Sequence, residues 1–125
     1  MKKFSSVWGG SRKPGKQRKH RLNSPLHAKH KFMRACLSGE LSKKYGKRSL
    51  GLRKGDKGKV MAGQFKRHEG RVESAILAKT RVFVSGAEVT KKDGTKKLVA
   101  FDPSNLMITE LNLDDKFRQK ILERK

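Results

Sequence analysis

Acidic residues are scarce in this sequence: 11 Asp plus Glu face 33 Lys plus Arg, for a formal net charge of +22. A chain with such a field repels itself when compact and adheres to polyanions. Apolar residues are few as well, at 34%, with aromatics at 6%. The core they can build is small, so part of the 125 residues is expected to lie outside it. No run of about 18 apolar residues is present to span a bilayer, and the basic segments have no strong Trp/Phe/Leu face for lying on one. Nucleic acid is therefore the polyanion the composition favours, and no membrane partner is expected. A single cysteine, Cys36, has no partner for an internal disulfide, which fits a reducing compartment and predicts a cytoplasmic protein. No apolar run follows the basic N-terminus, so a secretion signal is not expected. A cofactor loop and a metal-ligand cluster are also missing, so neither cofactor, metal nor small-molecule substrate is expected.

The charge is unevenly placed. Residues 1–50 carry 15 Lys or Arg and one acid, Glu40, while residues 51–125 carry 18 and 10. Residues 1–23 show no apolar period and contain Gly9, Gly10, Pro14 and Gly15, with seven basic residues from Arg12 to Arg21 when His20 is included. Such a segment buries too little apolar area to offset the entropy of ordering. It reads as an extended basic arm that orders on RNA, with Lys2, Lys3, Arg12, Lys13, Lys16, Arg18, Lys19, His20 and Arg21 as phosphate contacts. Trp8, beside Gly9-Gly10, either stacks on a base or ribose or packs on the protein's own surface.

Ser24-Pro25 reads as a helix start, a hydroxyl cap followed by proline at the first helical position. Leu26, Met33 and Leu37 then fall near one face with Phe32 and Cys36 beside it. His27, Lys29, His30, Lys31 and Arg34 take the remaining, basic surface. His27 and His30 have a metal-compatible spacing but no carboxylate or cysteine to complete a site, so RNA contact or plain exposure is their expected fate. Cys36 reads as a small buried hydrophobe rather than a nucleophile. A second short helix is predicted from Ser38-Gly39-Glu40-Leu41 to about Tyr45, with Gly46 as its left-handed stop.

Beyond residue 50 the pattern changes to short apolar clusters at Val60–Met61, Val72–Leu77, Val82–Val84, Val89, Leu98–Phe101 and Leu106–Ile108, punctuated by glycines. Asp93-Gly94 is a two-residue hairpin signal. Five or six short strands in about 60 residues predict a small closed barrel. Asp114 is a candidate cap for a last helix, with Leu113, Phe117 and Ile121 spaced along its apolar face. Asp114-Asp115 thus reads as capping and Asp102-Pro103 as a turn, leaving no acid and base paired for catalysis.

The informative stretch runs from Arg53 to Val72. Gly63 and Gly70 bracket Gln64–Glu69, where glycine permits positive φ and close backbone approach, and Lys66, Arg67 and His68 occupy the tip. Cations on a backbone able to come close suit an RNA surface lined with phosphates. Phe65, in the same loop, reads as packing rather than base stacking. Gly55-Asp56, Val60, Gly63, Lys66, Gly70 and Val72 resemble the KOW motif of ribosomal proteins and transcription elongation factors. Gly58 stands where the motif usually has a strand valine, which predicts a weakened or bulged strand. Arg67 stands where it usually has a second loop glycine, which adds a cation.

The flanks extend the likeness. Asn23 to His27, Leu41 to Leu50, Pro103 to Thr109 and Lys120 to Arg124 are similar to the corresponding segments of the L-twenty-four family of large-subunit ribosomal proteins, in its archaeal and eukaryotic form. The loop lacks the extra residue typical of eukaryotic members, so the archaeal form is the nearer likeness. The resemblance implies a structural, non-enzymatic protein that binds large-subunit rRNA near its 5′ region. It also implies a position beside the polypeptide exit tunnel among neighbouring ribosomal proteins. In bacteria, relatives help to initiate subunit assembly. A transcription elongation factor would carry a further α/β domain ahead of the KOW unit, for which 50 arm-like residues leave no room.

The expected architecture is mainly β: a basic extended arm (1–23), a helical N-terminal extension (24–50), an SH3-like KOW barrel (51–111) and a C-terminal helix (112–125). Arg53, Lys54, Gly63, Lys66, Arg67, His68, Ser104 and Asn105 are the expected RNA contacts on the barrel. For Ser104 and Asn105, the turn's own hydrogen bonds are the alternative.

Overall fold

A computed structural model describes residues 4–124. Lys2 and Lys3 lie outside the described residues. The chain runs through a 3-10 turn (Ser6–Gly10), α1 (Pro14–Asn23), α2 (Leu26–Phe32), β1 (Arg34–Leu37), α3 (Gly39–Tyr45), β2 (Ser49–Gly51) and β3 (Lys57–Val60). It continues through β4 (Glu69–Ile76), β5 (Arg81–Thr90), β6 (Lys96–Phe101), a second 3-10 turn (Pro103–Asn105), β7 (Leu106–Glu110) and α4 (Lys116–Glu123). The domain is small and mainly β, as the strand clusters predicted.

The strands form one seven-stranded sheet in the order β2-β1-β7-β3-β4-β5-β6. Only β1 and β7 run parallel, pairing Cys36 with Met107 and Leu37 with Ile108; the other neighbours are antiparallel. Among the described residues no ladder joins β2 to β6, so the sheet keeps two edges. β4 serves both halves. Its start, Glu69 to Arg71, pairs with β3, and from Val72 onward it pairs with β5, with a register shift between Val72 and Ser74. A bulge of this kind sharpens the local twist. Gly70 sits at the turn-over, where a Cβ would lie 2.5 Å from the Ser85 carbonyl oxygen, so no side chain fits.

Alternation along the strands supplies the core. Val60, Val72, Val82, Val84, Leu106 and Ile108 are all essentially buried, drawn from β3, β4, β5 and β7. Ala35 and Leu37 of β1, with Leu50 and Leu52, extend the same cluster.

Several local expectations are corrected. Residues 33–37 leave the helix and form β1. Met33 and Leu37 are four apart, which suits a helix or a strand equally, but Ala35 between them is also buried, and only a period of two allows that. Leu26, expected on an apolar stripe, is 59% exposed. The arm, expected to lack regular structure, contains α1. Pro14 at its start and a run of Lys, Gln and Arg favour a helix, although none of its residues is buried. The last helix presents a different face: Phe117 is 75% exposed, while Arg118 and Leu122 are buried. Its cap is Asp115 rather than Asp114, with Asp115 Oδ1 accepting from Phe117 N at 2.8 Å.

Other signals hold. Ser38 caps α3 by accepting from Leu41 N, and Gly46 ends it at φ 63°. Asp93-Gly94 does turn the chain between β5 and β6. The loop is longer than two residues, however, because Lys91 N bonds Thr95 O and Gly94 N bonds Lys91 O. Gly94 takes the left-handed position of that longer turn.

Candidate nucleic-acid interface

The Gly55-Asp56 pair of the motif is an anchor. Gly55 adopts φ 92°, which turns the chain so that Asp56 points inward, fully buried. Its Oδ2 accepts from Arg53 N and its Oδ1 from Asn112 N, each at 2.9 Å. The Arg118 guanidinium of α4 closes the site as a fork, Nη1 to Oδ1 and Nη2 to Oδ2 at 2.6 Å each. Arg118 also donates to Asn112 O and Gly51 O. Both charges are thereby matched inside the protein, the condition under which a buried pair is tolerated. Arg118 was not among the expected functional residues, and no local spacing marks it.

From that anchor the loop between β3 and β4 is held at several points. Met61 N donates to Asn105 O at 2.8 Å, Arg67 N to Val60 O at 2.9 Å and Lys66 N to Gly63 O at 3.2 Å. Gly63 and Arg67 both have positive φ, 91° and 74°. Arg67 therefore takes, without being glycine, the backbone conformation that the motif's usual second glycine would supply. Gly58 brings the expected irregularity, a register shift between Lys57 and Gly58 against β7. The side chains then divide. Lys66 and Arg67 are exposed. His68 is half-buried with Nε2 2.8 Å from Ser85 O; a carbonyl only accepts, so Nε2 carries the proton and the ring braces the loop. Phe65 packs edge-on to Phe101, centroids 6.1 Å apart.

The arm reaches this loop through the Pro103–Asn105 turn. Arg21, in the last turn of α1, lies 3.5 Å from Asp102, which Arg81 approaches at 3.9 Å. Asp102 Oδ1 in turn accepts from Ser104 N and from the Ser104 hydroxyl, so Ser104 makes the turn's own hydrogen bonds. Asn105 is exposed. His20 is half-buried between Phe4 and Phe32, with centroids at 5.1 and 6.1 Å. Arg12, Lys13, Lys16, Arg18 and Lys19 are exposed. α1, the turn and the loop are thus linked by a chain of contacts, with exposed cations on α1 and on the loop.

A second grouping lines a groove of about 810 Å³. His30, Arg34, Arg53 and Lys54 stand around it over an apolar floor that includes Met33, Leu50 and Leu52, with Glu73 also in the wall. Arg53 is engaged by Asp115. That bond and the Phe117 amide hold the Asp115 carboxyl below its ordinary range, the amide contributing most. His27 and Lys31 are exposed on α2. Lys29, expected on the same surface, is instead buried at 7% exposure, its Nζ donating to Ala78 O at 2.7 Å. It ties α2 to the turn between β4 and β5. Cys36 is half-buried with Sγ 3.5 Å from Leu106 O.

One cationic feature escaped the sequence reading. Lys91, Lys92, Lys96 and Lys97 are exposed around the β5–β6 turn, and the run was legible as four lysines flanking Asp93-Gly94. Among the described residues no group of three or more His, Cys, Asp or Glu could hold a metal ion, and no helix is long and apolar enough to cross a membrane.

Comparison with known proteins bears on what such a surface is for. The family of ribosomal proteins described as L26 in eukaryotes and L24 in archaea matches residues 11–125. The chain is similar to the large ribosomal subunit protein uL24 of Korarchaeum cryptofilum, at 46% identity over 115 residues, 92% of this chain and 88% of that protein. It is similar also to the large ribosomal subunit protein uL24 of Methanothrix thermoacetophila, at 47% identity over 114 residues, 91% of this chain and 98% of that one.

Proposed function

The chain belongs to the family of eukaryotic L26 and archaeal L24 ribosomal proteins, and from that premise we propose that it is a structural constituent of the large ribosomal subunit that binds large-subunit rRNA directly. The family is one of ribosomal proteins, not enzymes. The observation that carries the rRNA reading is the set of exposed cations on α1 and on the β3–β4 loop, which the Pro103–Asn105 turn links. There Arg12, Lys13, Lys16, Arg18, Lys19, Lys66 and Arg67 are exposed, while the carboxylate at that turn, Asp102, is already engaged by Arg21 and Arg81.

The mechanism is charge neutralisation on a rigid support. The five strands of residues 51–111 act as a small SH3-like platform, and the extension (24–50) adds β1 and most of β2 to its sheet. The basic arm (1–23) and the exposed side of α2 lie across RNA, and the C-terminal segment (112–125) braces the platform through Arg118. Phosphates replace the carboxylates the chain lacks, and released counterions drive the association. Base edges in A-form grooves are hidden from side chains, so RNA shape sets specificity. If six to ten cations touch phosphate, affinity falls roughly 10³–10⁵-fold between 50 and 200 mM salt. The family resemblance extends the proposal to the 5′ region of the rRNA, to a seat near the polypeptide exit tunnel beside other subunit proteins, to support of subunit assembly, and to a cytoplasmic, ribosome-bound state.

Gradient sedimentation of a cell extract at moderate salt tests the placement. The chain is expected to travel with large subunits, and a free monomer at the top of the gradient would overturn it. Filter binding to transcripts of successive rRNA regions tests the partner, with the 5′ transcript expected to bind most tightly. Equal binding to all of them would remove the regional claim.

A further inference from the structure

Trp8 is the one tryptophan of the sequence, and it stands in the first 3-10 turn, where no residue is buried, rather than in the core. The turn is fastened to α1 just after the indole. Gln17 Nε2 donates to Gly9 O at 2.8 Å and to Ser11 O at 2.5 Å. His20 underlies Gly9, close enough that a Cβ there would lie 3.7 Å from the ring. Trp8 N and O are themselves bonded within the turn, to Ser5 O and Ser11 N, both at 3.2 Å.

The indole so placed lines a hollow of about 270 Å³ together with Lys16 and Lys19. Those lysines are three apart on α1 and project from one face. That volume equals roughly nine waters at ~30 Å³ each, enough for one nucleobase. Among the described residues no carboxylate lines it and neither lysine makes an ion pair. An aromatic face beside two unneutralised ammonium groups has the chemistry of a nucleotide site, base on the ring and phosphate between the cations.

We infer that this notch receives a single unpaired nucleotide of the bound RNA, stacked on Trp8 with its phosphate held by Lys16 and Lys19. The inference rests on the RNA-binding reading above and adds a place and a strandedness to it. A paired base cannot enter, because both of its faces are already stacked.

Because Trp8 is the sole tryptophan, its emission in the intact chain reports on this notch alone. The probes are single-stranded oligoadenylate and an abasic oligonucleotide of the same length, each followed by tryptophan emission and, in parallel, by filter binding. Oligoadenylate is expected to quench the emission and the abasic strand to bind without quenching. Trp8→Leu is expected to weaken oligoadenylate binding roughly 5- to 150-fold, the usual worth of one stacked base, and to leave abasic binding unchanged. Its circular dichroism should match the parent, since Trp8 is outside the core. Oligoadenylate retained on the filter with unmoved emission would overturn the notch while leaving RNA binding intact. Equal quenching by the abasic strand would also overturn it, by reducing the site to a phosphate clamp. No retention of either strand would bring down the RNA-binding reading and the notch together.

Discussion

Helix α1 spans ten residues and buries none of them, whereas α4 spans eight and buries Arg118 and Leu122. Both are rich in cations, yet they use them in opposite directions. Arg118 turns inward because the buried Asp56 carboxylate, each oxygen already accepting one backbone amide, can still take both arms of a guanidinium fork. The cations of α1 have Asp102 beside Arg21 and little else. In α4 an acid within reach draws the basic residue into the scaffold; in α1, which has no such partner beyond Asp102, the basic residues stay exposed. The contrast also separates two kinds of helix stability. A ten-residue helix without a packed face is marginal in water, and α1 has the Gln17 bonds and the Phe4, His20 and Phe32 cluster to hold it. α4 is held by a buried charge pair.

The largest effect should come from breaking that pair. Arg118→Met strands Asp56 in the core and should cost about 3–5 kcal/mol in urea denaturation; a loss under 1 kcal/mol would mean that the pair is not what holds α4. On the other side of the comparison, replacing Arg12, Lys13, Lys16, Arg18 and Lys19 with alanine should leave the urea midpoint nearly unchanged. The log–log salt dependence of rRNA binding should become shallower by up to about five units, near one for each lost phosphate contact. An unaltered slope would remove the arm from the interface. Gly70→Ala places a methyl against the Ser85 carbonyl and should destabilise by roughly 1–3 kcal/mol, with RNA affinity per folded molecule preserved.

Arg67→Gly sharpens the contrast within one residue. It relieves a left-handed backbone and should raise stability by about 1 kcal/mol, while removing one cation and weakening RNA binding; improved stability with unchanged affinity would show that Arg67 faces water. The smallest effect is a pH dependence. The folded-state Asp115 carboxyl sits below its ordinary value, chiefly through the Phe117 amide and then Arg53. Its contribution is therefore present above the unfolded carboxylate value near 3.9 and lost as pH falls through the folded one. Asp115→Asn should flatten that acid limb of a thermal-melting series.

Much of this was legible because the signals were local. Glycine spacing and two cations located the β3–β4 loop, Ser38 and Gly46 bounded α3, and Asp93-Gly94 marked the hairpin. What failed was settled by distant partners. The inward face of α4 depends on Asp56, 62 residues away in the chain, so the spacing of Leu113, Phe117 and Ile121 pointed to the wrong side. Lys29 reads as surface on α2, but the carbonyl it serves, Ala78, is 49 residues away. Met33 and Leu37 satisfied two periods at once, and the parallel pairing of β1 with β7 chose between them.

That pairing bears on how the protein comes into being. β7 lies between β1 and β3, so the strand made last is the one the others close around. During synthesis β1 and β2 wait for residues 106–110, and until then the backbone edges of two partial sheets are unpaired and the apolar residues of their inner faces are uncovered. A nascent chain halted before Leu106 would consist of two unfinished pieces, a client for chaperones rather than a shorter version of the finished molecule.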